Sequence, residues 1–389
     1  MRKMKFKGSY NKSLGVFELV SLGVGGTIGS GIFVVPGIAA GIAGPSSLIA
    51  WVIGAISATC VMLSLAWASS RYPSTGAFYS ILSKVFGKKT SVTLVILYLI
   101  SSIFGIATIA AGIGQYVSFF GFSNILFVEI LVLILFCLLN IRGVRPSGTA
   151  ENILTTLKTI PLIILAVLLL PYIQTKNFVP FFPADHTGFL KAIIIIYWSY
   201  TGFEISAIPV EETKRQSDVF KSLIIVMSIV VFVYLLLNVS LIGSVGSLIL
   251  ASSPAPIATA SGLIFRESGK IVAVIGIIAM MSALNAYILG ASRVTQNISS
   301  QFDIPILKEL SNTGAPEAAV LVCTGLGIAL LFFSNHFDIL ASISVVTILL
   351  PYIFICLAAY KLFNDRKIRL VAAIGTLTTL AILISQYVI

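Results

Sequence analysis

Long apolar runs alternate with short polar, basic connections along the whole chain. A helix needs about 20 mostly apolar residues to cross a bilayer core. Scanning for such runs predicts eleven spans, at 16–42, 46–69, 91–118, 124–141, 152–173, 189–210, 221–246, 269–296, 316–334, 338–360 and 368–388. The first holds Pro36 and seven glycines, but it follows a polar start and lacks a small-residue cleavage site, so it is expected to be a permanent span rather than a signal peptide. Composition points the same way. Of 389 residues, 58% are apolar and only 10% charged. That is too few charges to cover a soluble surface, and too apolar a chain for disorder. The fold class expected is an all-α integral membrane protein.

The net charge of +11 is informative only through its placement. Twenty Lys and Arg fall on one side of the predicted spans: Arg2, Lys3, Lys5, Lys7, Lys12, Arg71, Lys84, Lys88, Lys89, Arg142, Arg145, Lys214, Arg215, Lys221, Arg293, Lys308, Lys361, Arg366, Lys367 and Arg369. Only Lys176, Lys191, Arg266 and Lys270 fall on the other, and Lys158 lies inside the fifth span. Basic residues are retained on the cytoplasmic side. The N-terminus is therefore expected in the cytoplasm and, after eleven crossings, the C-terminus outside a cell membrane. The charge is a topology signal, and nucleic acid drops out as a partner. Cys60, Cys137, Cys323 and Cys356 lie in apolar segments and read as small core residues, while His186 and His336 show no metal-ligand spacing.

Two spans are interrupted near their centres. In the first, four of the seven residues 25–31 are glycine, and glycine costs about 1 kcal/mol relative to alanine inside a helix. In the sixth, Trp198-Ser-Tyr-Thr-Gly-Phe-Glu204 breaks an apolar run and Pro209 follows. Unwinding at mid-membrane frees N–H and C=O groups that lipid cannot satisfy, so such a break persists only where those groups line a cavity or hold a ligand. Paired breaks in corresponding spans of two repeats point to a transporter's binding site. The second half of the first span begins near Ser30-Gly31, and its free N–H groups suit a carboxylate. The carbonyls near Thr27 and from Trp198 to Thr201 suit an ammonium group, and Gly29 and Gly31 let a ligand touch backbone. A zwitterionic α-amino acid satisfies both ends. The competing reading makes Gly25-x-x-x-Gly29 a close helix-packing face; two glycine clusters five spans apart weigh against it.

At these residues the chain becomes recognisable. Gly26-Thr-Ile-Gly-Ser-Gly-Ile-Phe33 with Pro36-Gly37 resembles the first-helix signature of the amino acid–polyamine–organocation transporters. Tyr72-Pro-Ser-Thr-Gly-Ala-Phe-Tyr79, Asn140-Ile-Arg-Gly143-Val, Trp198 to Glu204 and Ile348-Leu-Leu-Pro351-Tyr352 agree in order, so the resemblance covers all eleven spans. It is most similar to the branch containing the arginine/agmatine exchangers. The resemblance implies a LeuT-like fold with discontinuous helices one and six, two inverted five-helix repeats at 15–173 and 189–360, an additional helix at 367–389, and alternating access. It implies that Ser30 and Gly31 bind the substrate carboxylate, with Thr27, Ile28 and Gly29 beside them. Carbonyls of Thr27, Trp198 and Thr201, next to Gly202, would hold the amine, and Trp198 or Tyr200 would gate the ligand. Ser101, Ser102, Tyr287 and Ser342 match positions that touch the substrate side chain. Two departures stand out. Family members commonly have twelve spans, which bears on oligomer contacts, and a third-span position that is polar in the arginine exchangers is Ile106 here, favouring a neutral or apolar substrate.

Ionisable groups inside a span are functional hypotheses by default. Lys158 either snorkels to the interface or, as the resemblance implies, occupies the sodium-site position, where its ammonium replaces the cation and exchanges a proton as the gate cycles. Glu204 is either a hydrogen-bond acceptor at the restarted helix or a pH sensor. Glu211 and Glu212 with Lys214 and Arg215 read as a solvated cluster or a gate-closing ion pair, and Glu18 as a partner of the basic N-terminus. The aromatic stripe of the fourth span and the Phe-rich C-terminal spans are expected to face lipid. No catalytic motif is found, so the expected function is secondary active transport of amino acids, sodium-independent, by proton symport or exchange. A passive channel for small polar solutes is an alternative, which counterflow would exclude. So is a non-transporting amino acid sensor, although no loop exceeds about 25 residues. Expected partners are an amino acid or related amine and the bilayer, with a homodimer left open, and neither cofactor nor metal is expected.

Overall fold

A computed structural model describes residues 13–72, 77–182, 187–265 and 267–385. Arg2, Lys3, Lys5, Lys7, Lys12, His186, Arg266 and positions 73–76 of the Tyr72–Tyr79 motif lie outside the described residues, as do the side chains of Arg145 and Glu211.

Helices cover each of the eleven apolar stretches. The first is split into α1 (Val16–Thr27) and α2 (Ser30–Ala43). At 1.5 Å per residue these are about 18 and 21 Å long, so each covers roughly half a bilayer. There follow α3 (Ser47–Arg71), α4 (Ala77–Phe86), α5 (Lys88–Ser118), α6 (Ile125–Ile141) and α7 (Val144–Leu169). The sixth stretch is α8 (Thr187–Tyr200) followed by a 3-10 segment, Phe203–Ala207. The rest is α9 (Ser217–Val245), the short connectors α10 (Ser247–Ala251) and α11 (Pro256–Ser261), then α12 (Ser268–Gln301), α13 (Glu317–Phe333), α14 (Phe337–Leu362) and α15 (Arg366–Ser385).

Helix α7 begins eight residues before the predicted span at 152. Residues 145–149 are polar or small and lower local hydropathy, but they do not stop a helix, and Pro146 sits in the first turn, where no intrahelical N–H is lost. This extension brings Glu151 into the helix.

Large apolar side chains face outward on α6 (Leu131, Leu135, Leu138), α7 (Leu157, Ile160, Ile164), α13 (Leu321, Leu326, Phe332) and α15 (Leu370, Leu377), as lipid contact requires. The expected lipid-facing aromatic stripe of α6 divides: Phe127 is exposed, whereas Phe136 is buried. The broken segments lie inside. Helix α1 packs against α7, α9 and α12, and α8 packs against α2, α3 and α14. Glu18, expected to pair with basic residues, accepts the Gly15 N–H at 2.7 Å and caps the start of α1.

Candidate functional site

The glycine-rich sequence of the first span ends α1 at Thr27, and α2 restarts at Ser30. Between them Ile28 and Gly29 leave helical geometry, and the Gly29 N–H turns back onto the Thr27 carbonyl at 3.0 Å. No side chain caps α2, so its first-turn N–H groups face the break with the positive end of the helix dipole behind them. In the sixth span α8 runs intact through Tyr200, later than the break expected to open at Trp198. Gly202 then turns the chain at φ +104°, a conformation that side chains disfavour. Phe203–Ala207 winds as a 3-10 segment rather than an α half-helix.

The two breaks touch backbone to backbone. A Cβ on Gly202 would lie 2.6 Å from the Gly26 carbonyl oxygen, and one on Gly31 would lie 2.5 Å from Ser199 Cα. Gly29 faces Ala283 of α12 in the same way. In this structure, then, the glycines let the broken helices and α12 approach each other. The carbonyls expected to be free are occupied from within: Thr27 O accepts the Tyr234 hydroxyl at 2.6 Å, and Trp198 O accepts the Thr201 hydroxyl at 2.8 Å.

Four of the sequence-predicted side chains converge. Trp198 Nε1 donates to Ser30 Oγ at 3.3 Å, the Trp198 and Tyr287 rings lie 5.8 Å apart, and Tyr287 shares a 3.0 Å hydrogen bond with Thr201. Gly105 of α5 faces both rings. Tyr200 does not join them. Two residues along a helix of 3.6 residues per turn point to nearly opposite sides, so Tyr200 donates to the Trp51 carbonyl at 2.9 Å, packs edgewise with Trp51 and lies tilted against Tyr234.

The remaining side-chain candidates lie elsewhere. Ser101 and Ser344 exchange hydroxyl-to-carbonyl hydrogen bonds at 2.8 and 2.7 Å, which fasten α5 to α14. Ser102 bonds back to the Tyr98 carbonyl. Ser342 lines a surface groove with Ile38, Lys191 and Asp338. Ile106 packs against Gly327 of α13, on another face of α5 from Gly105, so it gives no information about substrate polarity.

Lys158 is fully buried and does not snorkel. Its ammonium donates to the Gly25 carbonyl and to Ser282 Oγ, both at 2.8 Å. Ser282 in turn donates to Glu151, whose carboxylate also accepts from Thr155 at 3.1 Å and Asn285 at 2.9 Å. Sequence reading missed Glu151, Ser282 and Asn285. The usable signal was spacing: 151, 155 and 158 fall on one face of a helix. Glu204, next to the second break, accepts the Gly202 N–H at 3.0 Å and the Tyr352 hydroxyl at 2.7 Å.

On the side of the breaks where α1 begins and α12 ends, Arg293 and Glu212 form a buried ion pair at 3.1 Å. The Glu212 carbonyl also accepts the N–H groups of Ser13 and Leu14, tying the start of the described chain to the segment after Pro209. Glu212 is thus paired with Arg293 rather than solvated with Lys214 and Arg215. Removing one partner of a buried pair costs about 3–5 kcal/mol. Arg293→Met is expected to lower unfolding stability in detergent by that amount, with part recovered in Arg293→Met/Glu212→Gln; an unchanged midpoint in the single variant would contradict the pairing.

Residues 14–389 match the model of a family described as amino acid permease. The Escherichia coli inner membrane transport protein YbaT is 25% identical over 96% of this chain and 89% of its own. The Bacillus subtilis serine/threonine exchanger SteT is 26% identical over 92% and 84%. The crystal structure of MhsT in complex with L-phenylalanine superimposes with a TM-score of 0.68 at 17% identity, over 97% of this chain and all of that one. Two broken helices meeting at the centre of an all-helical membrane fold, and a family match along nearly the whole sequence, place the chain among the amino acid permeases of the amino acid–polyamine–organocation superfamily, multi-pass membrane transporters of LeuT-like fold.

Proposed function

We propose that the chain moves a neutral α-amino acid by alternating access, without sodium, through proton symport or exchange. The observation that carries this reading is the meeting of the two breaks beside a buried lysine. The uncapped start of α2 at Ser30 and Gly31 offers N–H groups to a carboxylate, and the carbonyls of Thr27, Trp198 and Thr201 offer acceptors to an ammonium group. Two of those carbonyls are held from within, Thr27 by the Tyr234 hydroxyl and the Gly29 N–H and Trp198 by the Thr201 hydroxyl and N–H, and substrate entry exchanges these bonds for its own. Trp198 and Tyr287, with Thr201, Gly105 and Ala283, supply an uncharged surround for a side chain. The relative named as a serine/threonine exchanger supports a neutral substrate.

The ammonium of Lys158, bonded to the Gly25 carbonyl of the first span and to Ser282 of the eighth, supports a sodium-free reading, in which this fixed cation takes the place of a bound one. The remaining parts of the proposal are two inverted repeats at 15–173 and 189–360, a further helix at 367–389, a cytoplasmic N-terminus and an external C-terminus. Purified protein should gain thermal stability from one or a few neutral members of a twenty-amino-acid panel, by about 2.7 kcal/mol at a hundred times Kd. Proteoliposomes should accumulate the same compounds equally in sodium and choline buffers, with counterflow from a preloaded pool. Uptake that required sodium, or flux without counterflow, would overturn the proposal.

A further inference from the structure

Glu151 has no place in the substrate site, yet it is a fully buried carboxylate at the start of a membrane-spanning segment, and such a group needs a reason to be there. Three observations tie it to Lys158. Ser282 Oγ accepts a hydrogen bond from the Lys158 ammonium and donates its own proton to Glu151 Oε1, so one hydroxyl joins cation and anion. Both charged groups grip the same residue of α1: Lys158 donates to the Gly25 carbonyl, and the Glu151 carboxylate fills the space a Cβ on Gly25 would need. The carboxylate is also fixed from two other sides, by Thr155, which reaches on to the Ser21 carbonyl, and by Asn285, which accepts from Asn140 of α6. Among the described residues, Gly25 of α1 and Ser282 and Asn285 of α12 face Glu151, Asn140 of α6 reaches it through Asn285, and Lys158 on its own helix is the one titratable or charged side chain linked to it.

We propose that Glu151 is the second seat of the transported proton, loaded from Lys158 through Ser282. This rests on the proton-coupled reading above. The transfer balances without another reactant. The Lys158 N–H bond breaks as a Ser282 O–H forms, and the proton that Ser282 already carried moves to Glu151 Oε1. A neutral amine and a carboxylic acid remain, and the summed charge of the pair stays at zero. The trigger is geometric. When α1 draws away, the ammonium gives up the Gly25 carbonyl, and Ser282 and the more distant Ala279 carbonyl, at 3.5 Å, remain as its acceptors. Glu151 lies seven residues nearer the start of α7 than Lys158, or about 10 Å along the helix, so the step carries the proton toward the side where α1 also begins.

The test uses the full chain in proteoliposomes and an equimolar mixture of the twenty ¹⁴C-labelled amino acids. Uptake driven by an imposed proton gradient is divided by counterflow uptake from a preloaded unlabelled mixture. Glu151→Gln keeps size and hydrogen bonding but cannot store the proton, and it should lower that ratio by about tenfold, the accumulation that a gradient of about one pH unit sustains. Glu151→Asp should restore most of it. Ser282→Ala removes the bridge without altering the acid and should reproduce the loss, which also covers a Glu151→Gln protein that fails to fold. A ratio unchanged in Glu151→Gln while the unsubstituted protein responds to the gradient overturns the relay alone. So does a parallel fall of both activities, which marks a structural ion pair. An unsubstituted protein indifferent to the gradient overturns the relay together with proton coupling.

Discussion

Gly31→Leu is expected to abolish amino acid uptake and to remove stabilisation by the amino acids that stabilise the unsubstituted protein. Even a Cβ at this position would lie 2.5 Å from Ser199 Cα and within 2.9 Å of its side chain, so α2 and α8 must separate before a larger group fits. The same substitution covers the first-turn N–H groups proposed to hold the carboxylate. Together these effects should weaken binding by about a hundredfold or more, equivalent to at least about 2.7 kcal/mol. Ser30→Ala adds no atom and deletes the acceptor of the Trp198 indole. It should fold normally and weaken binding by about tenfold, so a loss in both variants assigns the effect to the site rather than to misfolding. Binding unchanged in Gly31→Leu would remove the proposed cradle.

The second large effect concerns Lys158. Lys158→Met leaves the Glu151 carboxylate buried without its cation, together with the Gly25 carbonyl without its donor. An uncompensated buried charge costs about 3–5 kcal/mol, and the loss should appear as a lower unfolding midpoint in detergent. Glu151→Gln added to Lys158→Met should recover part of the stability, because two neutral groups then face each other. Gradient-driven uptake should be lost in both variants. A single variant as stable as the unsubstituted protein, or one that still accumulates amino acids under a proton gradient, would show that the lysine neither locks the fold nor couples transport.

These two sites act on one element from opposite directions. Gly26 and Gly31 join the first span to the sixth, while Gly25 carries the bond from Lys158 of α7 and packs against Glu151 of the same helix. A change at either end of this short stretch alters how α1 sits. In the proposed cycle, substrate binding and proton movement would share one physical lever, the packing of α1 against α7, α9 and α12. Arg293 and Glu212 restrain the neighbouring segment after Pro209, which is itself tied to the residues leading into α1.

The apolar spans, the two broken helices and the permease family were legible in the amino-acid sequence, because lipid permits few backbone solutions and punishes glycine clusters that serve no purpose. Residue chemistry also singled out Lys158, since a lysine in a span stands out against its surroundings. Glu151 escaped because a polar stretch at 145–149 lowered hydropathy while the helix continued through it. Tertiary structure alone decided which face of α8 meets the breaks, sending Trp198 inward and Tyr200 toward Trp51. It also decided that Ser101 fastens to Ser344, that Ile106 packs on Gly327, and that Ser282 stands between Lys158 and Glu151. The reason is that hydropathy along one chain reports burial, whereas rotation of each helix about its axis is set by its packing partners. Those partners are far away in sequence, and their register is encoded in pairwise fit that no single span displays.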